Sequence, residues 1–296
     1  MTSIQLEAPR AARRARRAVR LGGLVKEPTI MVASGALLAV VLLAALGPLF
    51  WTVSPNQVNL AETLQPMSSA HPMGTDDLGR DVFARFLEGA RLSLMVGAVV
   101  VLAGATIGGA LGVVAGMSRQ PVSGFLGWVI NTLLSFPTLM LAMAVSVALG
   151  AGVFAGAAGL VLAAIPWYAR VLRSEVLRIM SRPSVEAAVV AGAGSIRIAR
   201  RNVIPHLMPT LLIQAASNFG AAILTLAALG FVGLGAQPPQ AEWGSMITGG
   251  LQYALSGQWW IGVFPGLGLI VLVTATTVLA DRARDILDPR GSYVRS

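Results

Sequence analysis

The stretch Glu186–Pro205, EAAVVAGAGSIRIARRNVIP, sets the reading of this chain, because it inserts three arginines and two glycines between apolar runs of membrane-spanning length. Pro183 suits a first helical position, and residues 185–191 predict a short helix that Gly192 and Gly194 end. Ser195 is placed to cap a second helix, which carries Arg197, Arg200 and Arg201 against Ile196, Ile198, Val203 and Ile204, with Pro205 at the turn into the next span. The expected geometry is a short helical element held crosswise beneath the membrane. Such an element has little area of its own and suits a partner's groove, although periodicity alone is equally compatible with an ordinary basic loop.

Outward from this segment, composition rules out a soluble domain. Of 296 residues 55% are hydrophobic and only 12% charged, which cannot furnish a polar surface. A helical span needs about 20 mainly apolar residues. Such runs lie at 29–50, 92–117, 125–149, 154–168, 207–234 and 260–280, which predicts an all-α polytopic bundle of six transmembrane helices. The chain divides accordingly into an Arg-rich tail (1–28), a first span (29–51) and an external loop with an amphipathic helix (52–91). A core of five spans (92–282) containing the basic region 170–205 follows, and then a second tail (283–296). Of the 22 basic residues, all but Arg80, Arg85 and Arg91 fall in segments that would share one side. The positive-inside rule then predicts that both termini are cytoplasmic. The net charge of +9 follows this topology, so nucleic acid is not expected as a partner; the tail RAARRARRAVR superficially resembles a transit peptide or a patch for membrane lipid, and is read as a disordered cytoplasmic tail that fixes topology. There is no cysteine, which excludes disulfides and thiolate chemistry.

In the external loop Thr75 is expected to cap a helix whose first turn holds Asp76 and Asp77. Leu78, Val82, Phe83, Phe86, Leu87 and Ala90 would form its apolar face, and Asp81 would pair with Arg85. His71, Asp76, Asp77 and Asp81 are also a conceivable oxygen-rich metal set, but capping and ion pairing already account for the carboxylates, and no metal is expected. Gly104, Gly108, Gly112 and Gly116 recur every four residues and give the second span a groove, either for packing inside the subunit or for a sliding contact with another. Polar groups inside spans face protein or water, so Gln214, Ser217 and Asn218, with Thr225 further along, are read as lining a path; Asn131 and Ser135 are weaker candidates of the same kind.

The spacing Glu186-Ala187-Ala188, Gly192, Ile204-Pro205 resembles the EAA motif of ABC importer permeases. Three further blocks, HPMGTDDLGRD (71–81), LGFVGLGAQPPQAEWG (229–244) and RDILDPR (284–290), are similar to the dipeptide, oligopeptide and nickel permeases, C-type subunit. Two departures stand out. Asn202 occupies a position usually apolar, where Val203 is expected to take over the packing, and Gly230 replaces a usual serine.

The resemblance implies the type I, MetI-like permease fold and one half of a translocation path in a bacterial inner membrane. Its partners would be a homologous B-type permease, two ATPase subunits or one fused ATPase, and an extracytoplasmic substrate-binding protein. The cargo would be a di- or oligopeptide, or alternatively nickel or another small solute. Glu186, Ala187, Ala188, Gly192, Ala193, Ser195, Ile204 and Pro205 would form the coupling helix that docks on the ATPase. Asp76, Asp77, Arg80, Asp81, Gln237, Glu242 and Trp243 would lie outside, near the binding protein.

The resemblance also implies that ATP and Mg belong to the ATPase, and this chain is expected to bind no cofactor and catalyse nothing. Consistent with this, the sequence lacks G-x-x-x-x-G-K-[ST], H-E-x-x-H and G-x-S-x-G. A self-contained secondary transporter is the other class that composition allows. It would need an ion-coupling residue, and no span centre carries an ionisable one.

Overall fold

The computed structural model describes residues 27–287, and the tail readings for 1–26 and 288–296 lie outside it. Helix α1 (Pro28–Phe50) is followed by a loop with one 3-10 turn, Leu60–Glu62, and then by α2 (Val82–Met117), which is 36 residues long. Next come α3 (Val122–Leu134), α4 (Thr138–Leu149) and α5 (Val153–Met180). A helical turn region contains α6 (Pro183–Val190) and α7 (Ser195–Ile198). The chain finishes with α8 (Ile204–Phe231), α9 (Trp243–Ala254) and α10 (Trp260–Leu287). Among the described residues five helical stretches are long and apolar enough to cross a membrane, and the bent pair α3–α4 makes a sixth candidate.

The third expected span is therefore not one rod. Pro137 lacks an N–H and disfavours helical geometry in the residue before it, so the helix ends at Leu134 and restarts at Thr138 with an 89° bend. The fourth span, expected to stop at Tyr168, runs on as α5 to Met180 because its polar continuation packs on the chain's own basic turn region. The fifth does not turn at Pro205. α7, a π-helical turn at Ala199–Val203 and α8 form one helical stretch from Ser195 to Phe231. Helix α9 was not legible as a span or a helix, being short and glycine-rich.

The amphipathic helix expected in residues 52–91, at the membrane surface or on the bundle, is realised only from Val82 and as the first turns of α2 packed on the bundle, not as a separate element. Asp81, not Thr75, caps α2 by accepting the Ala84 N–H at 2.6 Å, and the turns beyond it continue directly into the span. Ala84, Arg85, Leu87 and Ala90 are all buried, so these turns have no solvated face to lay on a membrane surface.

The glycine groove on α2 is filled by α5 of the same chain. A Cβ on Gly108 would lie 2.5 Å from the Ile165 carbonyl oxygen, and one on Gly112 would lie 2.6 Å from that of Ala169. No side chain fits there, so the two backbones meet directly. This settles the role of the stripe as packing inside the subunit. Gly112→Val should overpack the seam by about 1–3 kcal/mol or more. Its expected signature is a lower thermal midpoint of the detergent-solubilised protein, while Gly249→Ala, with open space around its Cβ, should leave that midpoint unchanged.

Candidate functional site

The bundle presents three regions of interest: the turn between α5 and α8, the opposite end where the 52–81 loop meets α9, and a cavity between them. At the turn end, Pro183 opens α6 and Glu186 sits in its first turn, where the helix dipole favours an acid. The helix closes in a Schellman motif. Gly192, at φ +79°, donates its N–H to Val189 O at 3.0 Å while Ala193 donates to Ala188 O at 3.0 Å. Open space surrounds Gly192, so the glycine is needed for its left-handed backbone and not for a close approach within this chain. Gly194, rather than Ser195, takes the N-cap position of α7, and Ser195 makes no capping bond.

Two sets of apolar residues on this turn point in opposite directions. Val185, Ile198 and Val203 are buried in a cluster with Leu172, Val176, Ile179 and Leu207, which roots the turn on α5 and α8. Val190 and Ile196, by contrast, are 88% and 75% exposed. Glu186, Ala187, Arg197, Arg200, Arg201, Ile204 and Pro205 are exposed around them, with Ala188 and Ala193 half-buried.

The π turn explains how Asn202 is tolerated. With one extra residue per turn, Ile198 and Val203 share the buried face, and Asn202, which an α-helix would have placed there, rotates to the boundary. His206 Nδ1 then lies 2.6 Å from the Asn202 carbonyl.

The opposite end is built from buried charge. Asp81 also accepts from the Trp51 indole at 3.2 Å and lies 2.7 Å from His71 Nδ1. Asp76 accepts the backbone N–H groups of Leu78 and Arg80 and pairs with Arg80 Nε at 2.7 Å and with Arg85 Nε at 3.5 Å. The expected Asp81–Arg85 pair is therefore replaced, and Arg85 reaches the carbonyls of Pro55 and Pro239 instead.

Glu242 caps α9 through the N–H groups of Gly244 and Ser245, at 2.8 and 3.0 Å. Trp243 stacks on Phe86 at 5.2 Å and donates to its carbonyl at 3.1 Å. Asp76, Asp81, Glu242 and Trp243 are each less than 5% exposed, so these four of the expected outer contacts are internal braces with no outer surface to offer. Asp77 is exposed and Arg80 and Gln237 are partly so, the last held by bonds to Gly233 O and Gly235 O. Gly230 also acquires a reason, since a Cβ there would strike the Glu242 carboxylate; a serine would force that cap to move.

Between the ends, a cavity of about 310 Å³ is bounded by α2–α5 and α8. Of the polar residues read as path-lining, Asn218 and Thr225 reach it, whereas Gln214, Ser217, Asn131 and Ser135 do not. Ser217 instead receives Arg284 of α10 at 3.4 Å, and Asn131 and Ser135 are exposed on α3 and its C-terminal turn. Thr138, Trp167 and Tyr168 line the cavity and were missed. The one available signal for Trp167 and Tyr168 was a pair of polar-tipped side chains at what reads as the end of a span, and Thr138 follows Pro137 inside another.

This arrangement of a bent helix pair, a helix–glycine–helix turn and a long rooted span is a permease fold. The chain belongs to the binding-protein-dependent transport system inner membrane component family, matching it over residues 108–293. It is 35% identical over 278 residues to the probable D,D-dipeptide transport system permease protein DdpC of Escherichia coli K12, covering 94% of this chain and 93% of that one. It is also 43% identical over 223 residues to the dipeptide transport system permease protein DppC of the same organism, covering 75% and 74%. Among solved structures, an inward-facing form of the MetNI methionine ABC transporter shares the fold, with a TM-score of 0.53, 22% identity and coverage of 68% of this chain and 96% of that one. The chain is thus a multi-pass membrane permease subunit of the type I ABC importer fold and not an enzyme.

Burial pushes the Glu242 carboxyl above its ordinary range, against the opposing pull of the Gly244 and Ser245 N–H groups. The folded state then binds that proton more tightly than the unfolded chain, and stability falls as pH rises through the unfolded carboxylate range towards the folded value. Glu242→Gln should flatten this slope, as read from thermal midpoints measured between pH 4 and pH 7.

Proposed function

We propose that this chain is the C-type permease of an ATP-driven importer of di- or oligopeptides, one half of a path whose other half is a homologous B-type subunit. The turn containing Glu186 and Gly192 would face the cytoplasm together with both termini, and the 52–81 loop would face a substrate-binding protein. ATP and Mg would sit on two ATPase subunits, or on one fused ATPase, beneath the turn.

The observation that supports this reading most strongly is the exposure of Val190 and Ile196 at 88% and 75% on an element rooted by a buried cluster. Lipid would cover such residues on a span. On a basic turn outside the spans they are left for a protein groove, and burying each is worth about 1.5–3 kcal/mol. The surrounding Arg197, Arg200 and Arg201 suit an acidic rim. ATP-driven closure of the partner would move the rooted turn, and with it α5 and α8, between inward- and outward-open arrangements. The peptide cargo rests on the names of the relatives.

The test is affinity purification of the tagged chain from gently solubilised membranes. Wild type should recover a second permease and an ATPase. Val190→Glu with Ile196→Glu should retain the permease and lose at least nine-tenths of the ATPase. Recovery of the ATPase at the wild-type level by that double variant would reject the docking assignment.

A further inference from the structure

The bent pair α3–α4 leaves one helix face that no described residue covers. α4 packs on the span α5, where a Cβ on Gly159 would lie only 2.5 Å from the Ala142 carbonyl oxygen, whereas α3 is turned 89° from α4 and meets the bundle nearer the α6 turn. Its inner side is fixed there: Ser123 Oγ donates to Ala115 O at 2.7 Å, and Ile130 packs with Ala115 and Ala169. Its outer side carries Val122, Phe125 and Trp128, spaced three apart and 51%, 62% and 64% exposed, with the two aromatic rings 6.1 Å from each other. A crosswise helix with an aromatic stripe fits the boundary between lipid headgroups and acyl chains, where tryptophan is enriched.

Charge indicates what covers this face. Arg173 of α5, half-buried, reaches the notch beside it, where Nη2 donates to Ser123 O at 3.3 Å and to Ser123 Oγ at 3.4 Å. Gly127 lies so close that a Cβ there would be 2.9 Å from Nη1. The Arg173 Nε is closed off, but Nη1, which has no partner among the described residues, is not. Arg119 lies one turn before Ser123 and Arg170 one turn before Arg173, and both are exposed. Against these three cations no acidic residue occurs between Glu88 and Glu175, and Glu175 is engaged by Arg178. A half-buried guanidinium without a counter-ion calls for an anion, and its planar fork matches a phosphate. A headgroup that also carried an ammonium would bring a further positive charge among the arginines.

We infer that this notch binds the phosphate of an anionic phospholipid in the leaflet on the side of the α6 turn. Arg173 Nη1 donates to it, Arg119 and Arg170 flank it, and Phe125 and Trp128 sit among the acyl chains. Lipid held in this way pins α3 against α5, the helix on which the turn is rooted. The inference goes beyond the importer reading and does not depend on the cargo.

The experiment uses the full-length chain, purified with the subunits that accompany it, stripped of lipid and titrated with phosphatidylglycerol or phosphatidylcholine, with bound lipid counted by native mass spectrometry. Arg173→Gln should weaken the tightest phosphatidylglycerol site about tenfold, and Arg173→Lys, which keeps the charge, should weaken it less. Arg119→Gln with Arg170→Gln, both exposed and so without effect on packing, should weaken it at least about fivefold. Phosphatidylcholine binding should not change. Unchanged phosphatidylglycerol binding in these variants, or an equal loss for both lipids, would overturn the site. Displacement of the bound lipid by millimolar inorganic phosphate would identify a soluble anion as the ligand and reject the lipid. Because the chain has no cysteine, Trp128→Cys gives it a single site for a fluorescent label, which brominated phosphatidylglycerol should quench. A label that brominated lipid leaves unquenched would show that a partner subunit or water covers α3, and would reject the proposal as well.

Discussion

The direct contact of backbone on backbone between α2 and α5, made possible at Gly108 and Gly112, holds the two working ends of this protein in a fixed relation. α2 begins at the Asp81 cap in the buried-charge end, and α5 ends at Met180, with two residues between it and α6. In lipid the hydrophobic effect does not draw helices together, so close van der Waals approach at small residues has to supply the association. The seam therefore acts as a strut, and under the proposed docking a displacement of the turn would pass through it to the helices on either side of the cavity.

Each end solves a different physical problem. The loop end takes carboxylates out of water, and each is matched: Asp81 by a helix N-terminus, an indole and an imidazole, Asp76 by two guanidiniums, and Glu242 by two backbone N–H groups. Removing one partner from such a set leaves a buried charge uncompensated, which makes this end rigid. The turn end is the reverse. Its buried side is a plain apolar cluster, and its open side leaves Val190 and Ile196 exposed.

The π turn at Ala199–Val203 joins these themes to the sequence. A polar residue at 202 would break the apolar root of the turn in an unbroken α-helix. One added residue in the turn moves Val203, fully buried, into the vacant place and lets Asn202 rotate away. The expected substitution of Val203 for Asn202 in packing is thereby realised by a change of helix type, which no propensity of ARRNV announces.

The membrane class, the helical composition, the family and the helix–glycine–helix turn were determined by the sequence itself, because apolar run length, the placement of proline and glycine, and a spaced motif are local and survive without coordinates. Glu186 and Gly192 could be read that way, whereas Pro205, expected at a turn, lies inside one continuous helical stretch. Tertiary structure decided which polar residues are available. Asp76, Asp81, Glu242 and Trp243 look like surface groups in a loop, and become internal because partners distant in sequence, such as His71, Trp51 and Phe86, fold over them. Tyr168 looks like the end of a span, and becomes a cavity wall because α5 continues for a further twelve residues and α8 brings Asn218 beside it. Burial and pairing are sums over contacts from the whole chain, so the spacing of residues along one segment carries no record of them.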